Sequence, residues 1–218
     1  MGGGVGKFLS GLVEQTNLSD KFEHKIICLE KMNDRQFINK IIKYNCLIEQ
    51  PTNFEIEELM KDTDIVHLEF WNHPLLLKTL CEMNIPPIRL VTMFHKNGLY
   101  NVTIPEKLMN ESHKIIFTSV CSFWNDPISL SNVSNKNKYG YVASSGGFKD
   151  YPKIDVNFDK ISFGYTGNMM FTKMHPEYSE FINFVGENNP EFKIKMIGNA
   201  KNKNLLEKQS NIFEFTGF

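Results

Sequence analysis

The stretch "TDIVHLEFWNHPLLLKTLCEMNIPPIRLVTMFH", Thr63–His95, decides the fold. It opens on a short apolar, β-branched run, "TDIVHLEF", which reads as a buried strand. "NHPLLLKTLCEMN" follows with helical spacing, Asn72 as its N-cap and Pro74 in its first turn, where a missing N–H does no harm. A second apolar strand, "IRLVTMFH", closes the stretch at His95. Two strands joined through a helix form a βαβ unit, and such units build parallel sheets covered on both faces. In those sheets ligands gather at the carboxyl ends of the strands. Glu69, Trp71 and Asn72 end the first strand and His95 ends the second, so these become candidates, whereas His67 lies inside its strand and reads as a core histidine.

The same alternation runs outward in both directions. Upstream, "MGGGVGKFLSGL" feeds a helix bearing Phe8, Leu9, Leu12 and Val13, and "HKIICLE" is a strand. "DRQFINKIIKYN" reads as a helix, Cys46 to Ile48 as a short strand, and "NFEIEELMKD" as a helix capped by Asn53. Downstream, "IPEKLMNES" gives a short helix and "HKIIFTS" a strand ending in Ser119. Periodicity fails between Asp126 and Pro152, where Ser, Asn and Gly crowd and only "YGYVAS" resembles a strand. A fresh series begins at Lys160: strand "KISFGYTG", helix "HPEYSEFINFVGENN", strand "FKIKMIGN", helix "KNLLEKQS" and strand "IFEFTGF". The fold class is therefore α/β with two Rossmann-like domains, residues 1–152 and 153–218, the second incomplete because it holds roughly half of a doubly wound sheet.

Composition narrows the function classes. With 24 basic against 25 acidic residues the formal charge is −1, and the basic residues are scattered, so the electrostatic footprint of a nucleic-acid binder is missing. Cys28, Cys46, Cys81 and Cys121 form no CxxC pair and sit in or beside apolar runs, as core thiols of a reducing compartment. No run approaches the roughly 18 apolar residues of a membrane span, and no secretory leader is read at the start. A cytoplasmic protein is expected, with room for peripheral attachment at the inner face of the membrane.

Seven stretches in order carry a family likeness: "GGGVGKFL", "DIVHLEFW", "LVTMFH", "IIFTS", "FGYTGNM", "KIKMIGNA" and "NIFEFTGF". In order and spacing they resemble the GT-B superfamily, most closely the family 4 retaining glycosyltransferases. The resemblance implies two Rossmann-like domains, a nucleotide-sugar donor held mainly by the C-terminal one and a glycan or lipid-linked acceptor held mainly by the N-terminal one. It implies no metal cofactor, since positive side chains and helix N-termini neutralise the leaving diphosphate in such enzymes. It also implies a strand ahead of the glycine loop, central in the sheet, and a glutamate pair later in the C-terminal domain. Neither lies within these residues, which points to a chain truncated at both ends, inactive or nearly so alone, or to a partner chain that completes the C-terminal domain.

The resemblance assigns roles residue by residue. His95 matches the histidine that holds the transferred sugar and is the catalytic candidate. By position rather than by the resemblance, Gly3 and Gly4 at the helix opening, with Glu69, Asn72 and Ser119 at strand ends, are candidate substrate contacts. Gly167, Asn168 and Lys173 match the family's phosphate grip, in which arginine and lysine clamp the two phosphates. Asn168 stands where the arginine belongs and brings neither charge nor a bidentate fork. Plainer readings stand beside these: a histidine ending a strand caps the next turn, glycines permit a tight turn, and Lys173 is a solvated residue before a helix. Two rival functions remain, a non-catalytic sugar- or nucleotide-binding subunit and another Rossmann-like nucleotide enzyme. Against the latter, no G-x-G-x-x-G follows a strand.

Overall fold

The computed structural model describes residues 3–19, 21–33, 35–99, 103–124, 137–143, 163–167, 177–198, 204 and 212–217. The chain divides into two compact units, Met1–Tyr151 and Pro152–Phe218. In the first, helix α1 (Gly3–Asn17) is followed by β1 (Ile26–Cys28), two 3-10 turns (Ile38–Lys40 and Ile42–Tyr44), β2 (Leu47–Glu49) and α2 (Asn53–Lys61). Then come β3 (Val66–Phe70), α3 (Pro74–Glu82), β4 (Leu90–Phe94), α4 (Glu106–Glu111), β5 (Lys114–Phe117), a 3-10 turn (Val120–Trp124) and β6 (Tyr139–Tyr141). All pairings among the described strands are parallel, as βαβ connections dictate: β1 with β2 in one sheet, and β3-β4-β5-β6 in a second.

The four-stranded sheet packs one face on α3 and α4. Phe70, Phe94 and Phe117, from adjacent strands, are buried there with Ile104, Met109 and Ile115, against Leu76, Leu77 and Leu108. The rings of Phe70, Phe94 and Phe117 meet in sequence at centroid distances of 5.3 and 5.9 Å. A buried polar pair, Thr92 with Ser112, is satisfied by a 2.7 Å hydrogen bond. Among the described residues β1 and β2 pair with none of β3 to β6, and α1 contacts both sheets. Val13 packs with Ile26, Ile41 and Cys46 on the β1 side, while Phe8 meets the ring of His95 beyond β4.

Local chemistry departs from the sequence reading at four places. The segment read as a helix over Asp34–Asn45 forms two 3-10 turns; Ile38 and Ile41, three apart, eclipse on that tighter period and both are fully buried. Asn45, at φ 50°, then ends the second turn in the left-handed region. The α2 cap is Thr52 rather than Asn53: its hydroxyl accepts from the Glu55 N–H, and the Glu55 carboxylate accepts from the Thr52 N–H, a reciprocal box one residue earlier. Asn72 does not cap α3, since it lies at φ 65° and His73 takes the cap position without a side-chain bond. Cys81 is exposed on α3, unlike buried Cys46 and half-buried Cys28 and Cys121, so the reading of all four cysteines as core thiols fails there.

The second unit contains β7 (Phe163–Thr166), α5 (Tyr178–Asn188), β8 (Ile194–Ile197) and β9 (Phe213–Gly217), with the strands parallel in the order β7-β8-β9. Ile182 of α5 is buried against Ile194 and Met196 of β8 and Ile212. The ends of β7 and β8 meet backbone to backbone, with the Gly167 N–H donating to the Ile197 carbonyl at 3.0 Å. The residues that follow the two strands are glycines in backbone conformations that side chains rarely adopt, Gly167 at φ 150° and Gly198 at φ 135°. The helix read over "KNLLEKQS" lies outside the described residues apart from Asn204.

Candidate functional site

Because β3 to β6 are parallel and in register, their carboxyl ends form one edge. Phe70 pairs with Phe94 and Phe94 with Phe117, so the next residues of each strand emerge side by side. Strand alternation then sorts the side chains. Phe70, Phe94 and Phe117 point to the α3–α4 core, and the alternate set (His67, Glu69, Val91, Met93) points to the α1 side, with His95 next in phase. The His95 N–H donates to the Phe70 carbonyl at 2.9 Å, which carries the strand pairing one residue past β4 and fixes the backbone of His95.

On that face the Glu69 carboxylate Oε2 is hydrogen-bonded to His95 Nε2, with side-chain exposures of 8% and 10%. Glu69 Oε1 faces His67 Nε2 at 3.6 Å and has no hydrogen-bond partner among the described residues. Phe8 sets its ring edge-on to His95 at 6.1 Å, closing the α1 side. A buried carboxylate is costly to hold unless paired, and here two imidazoles flank it. His67 is exposed rather than a core histidine, yet the protein packed around its imidazole desolvates it and holds it below its ordinary value, with the Glu69 carboxylate opposing and His95 reinforcing that shift. His24, which shares a 2.6 Å hydrogen bond with the Thr16 hydroxyl, is also lowered by burial, and by His67.

These two shifts set a pH dependence. Each group starts from 6.5 in the unfolded chain and lies lower in the folded one. At higher pH neither state is protonated and stability does not vary on their account; as pH falls through 6.5 the unfolded chain takes up protons that the folded chain refuses, and stability drops until the folded imidazoles titrate as well. Melting temperature should therefore fall between about pH 7.5 and about 5.5, and the double variant His24→Gln/His67→Gln should flatten the fall. An equally steep fall in the double variant would assign it to other groups.

The other expected site residues are placed as follows. Gly3 and Gly4 open α1, and Phe8, one turn on, touches His95, so the helix N-terminus lies at the carboxyl edge of the sheet. Gly4 is exposed, and a Cβ built there meets nothing within 4 Å, so packing among the described residues does not demand glycine. Asn72 follows β3 in the left-handed region at the same edge. Ser119 follows β5, and its hydroxyl accepts from the Cys121 N–H at 3.3 Å, a cap on the 3-10 turn. The structure thus gathers His95, Glu69, the α1 N-terminus, Asn72 and Ser119 along one edge. Gly167 lies in the second unit after β7; Asn168 and Lys173 lie outside the described residues.

Sequence reading missed Phe8 and the part played by His67, which flanks Glu69 rather than sitting in a sealed core. The signal was present: His67 and Glu69 are two apart on one strand, and His95 is in phase with Val91 and Met93. An apolar cavity of about 260 Å³ lies farther along this face, lined by Phe8, Leu12, His67, Val91, Met93 and Val142. Its lining offers almost no polar partners, which suits neither a sugar nor a diphosphate. No described helix is long and apolar enough to cross a membrane.

No family model and no curated protein matches the chain. Solved structures do. A point mutant of TarM from S. aureus, in complex with Fondaparinux, alpha-GlcNAc-glycerol and UDP, matches 76% of this chain with a TM-score of 0.53 and 16% identity. A glycosyltransferase from Rickettsia africae ESF-5 matches 99% of this chain with a TM-score of 0.54 and 17% identity. The chain spans 36% of the length of the TarM protein and 65% of that of the Rickettsia protein. At such identities the likeness is one of fold: the chain has the Rossmann-like α/β fold found in glycosyltransferases.

Proposed function

We propose that these residues belong to a GT-B glycosyltransferase of the family 4 type, transferring a sugar from a nucleotide-activated donor, with retention, to a glycan or lipid-linked acceptor. The observation that carries the reading is the buried His95–Glu69 pair at the carboxyl edge of a parallel sheet, in a chain that shares its fold with glycosyltransferases. TarM was solved with UDP and alpha-GlcNAc-glycerol, and this supports a nucleoside diphosphate and a glycan as the ligand classes. Residues 1–152 serve as the acceptor-side domain and 153–218 as the first half of the donor-binding domain.

In this reading His95 holds a hydroxyl of the transferred sugar, so that the reacting carbon is oriented rather than merely bound. Gly3 and Gly4 present backbone N–H groups and the positive end of α1 to the substrate, beside Asn72 and Ser119. Gly167, Asn168 and Lys173 receive the diphosphate, where the lysine charge and not a metal stabilises the leaving group. The enzyme works in the cytoplasm, at the inner face of the membrane when its acceptor is lipid-linked.

A second reading, a non-catalytic sugar- or nucleotide-binding subunit, is favoured by Asn168 in place of an arginine. Thermal shift with a nucleotide panel tests the class. UDP or GDP at about 100 times its Kd should stabilise the chain by about 2.7 kcal/mol. Stabilisation by NAD alone would move the protein to another Rossmann-like enzyme class, and no response to any nucleotide would overturn the reading. Release of free nucleotide from a nucleotide sugar, lost in His95→Ala, separates the transferase from the binding subunit.

A further inference from the structure

The His95 imidazole touches a carboxylate through one nitrogen only, and this decides what the other nitrogen offers. An ionised carboxylate accepts and cannot donate, so the hydrogen bond to Glu69 Oε2 requires the proton on His95 Nε2. In a neutral imidazole with Nε2 protonated, Nδ1 carries the lone pair, and no described residue hydrogen-bonds it. Which ring nitrogen holds the proton is set by the bond the other one makes. Phe8, edge-on to the ring, and the bond to Glu69 restrict the ring rotation that would exchange the two nitrogens, while the backbone bond from His95 to the Phe70 carbonyl fixes where the side chain starts.

We infer that Glu69 is a positioning residue rather than a substrate contact: it fixes His95 as the Nε2–H tautomer and leaves Nδ1 as the hydrogen-bond acceptor presented to a ligand hydroxyl. His95 then receives a hydroxyl proton in a hydrogen bond through Nδ1 and does not donate one. The identity of that hydroxyl, on a sugar, rests on the glycosyl-transfer reading; the tautomer and its cause do not. His67 Nε2 lies 3.6 Å from the other carboxylate oxygen and makes no hydrogen bond to the pair.

The test is proton–nitrogen NMR of the full chain with labelled imidazoles at a pH where they are neutral, His95 being assigned by its loss in His95→Gln among the six histidines. The expected spectrum has a protonated Nε2, an unprotonated Nδ1 of lone-pair type, and an Nε2–H resonance shielded from exchange with water. Glu69→Gln keeps the size and removes the charge, and that resonance should then exchange at least about tenfold faster, because a charge-assisted bond becomes a neutral one. Glu69→Leu should abolish the shielded resonance altogether. A proton on Nδ1 in the native chain, or an Nε2–H exchange rate unchanged in Glu69→Gln, overturns the inference. If Glu69→Leu does not fold, the glutamine variant and the native spectrum still decide. Failure here removes the role of Glu69 and leaves glycosyl transfer standing, whereas failure of the nucleotide titration removes the sugar and leaves the tautomer assignment.

Discussion

Phe117→Ala is expected to destabilise the first unit by about 3–5 kcal/mol, the cost of deleting a buried phenyl ring from a packed core. Phe117 has no exposure and is the meeting point of three rings: Phe94 at 5.9 Å, Phe123 at 5.2 Å and Tyr139 at 6.2 Å. Its partners come from a neighbouring strand on each side and from the following 3-10 turn, so backbone elements rather than one flexible side chain would have to collapse into the void. For a unit of this size the loss corresponds to a fall of roughly 10 °C in melting temperature. Phe54→Ala on α2 is the control, since that ring is 69% exposed and its removal should change stability by less than about 0.5 kcal/mol. Equal shifts in the two variants would mean that the phenylalanine layer is not the core of this unit.

Gly198→Ala acts on the other unit and by another mechanism. A Cβ at this position would lie 2.1 Å from the Gly167 carbonyl oxygen and 2.9 Å from its carbon, both backbone atoms that no rotamer change can move. The position also lies at φ 135°, where any side chain is strained. Strain and the lost Gly167 to Ile197 bond together should cost about 3 kcal/mol or more. A small core of Ile182, Ile194, Met196 and Ile212 is there to absorb it. Native-state hydrogen exchange should show protection in β7 and β8 falling by at least about a hundredfold, at about 1.4 kcal/mol per factor of ten, while β4 and β5 keep theirs. Unchanged protection in β8 would show that the two strand ends can part without loss.

Much of this fold was legible in the sequence because it is written in periodicity. The apolar runs at Ile65–Phe70 and Ile88–Phe94 read as strands, and the intervening helix made them parallel, although His67 and Ile65 on the first of them are exposed. Helix caps and short turns were read less well. Asn53 and Thr52 both cap helices readily, and only the reach of Glu55 back to the Thr52 N–H selects between them. Ile38 and Ile41 satisfy both the 3.6 and the 3.0 residue period, and the turn at Asn45 chooses the tighter one. Cys81 was misplaced because a small thiol on a helix carries no periodic weight of its own.

Sequence by itself determined the class: alternating strands and helices, a break after the first series, and chemistry-bearing side chains at strand ends. Tertiary structure alone decided that Glu69 and His95, 26 residues apart in the chain, share a hydrogen bond, and that His67 shares the carboxylate with them. The reason is one of range. Hydrogen bonding along the backbone and burial of apolar faces repeat every two or 3.6 residues and can be read from neighbours. The side-chain pair depends on the register between β3 and β4, fixed by packing on the opposite face of the sheet, where the rings of Phe70 and Phe94 meet.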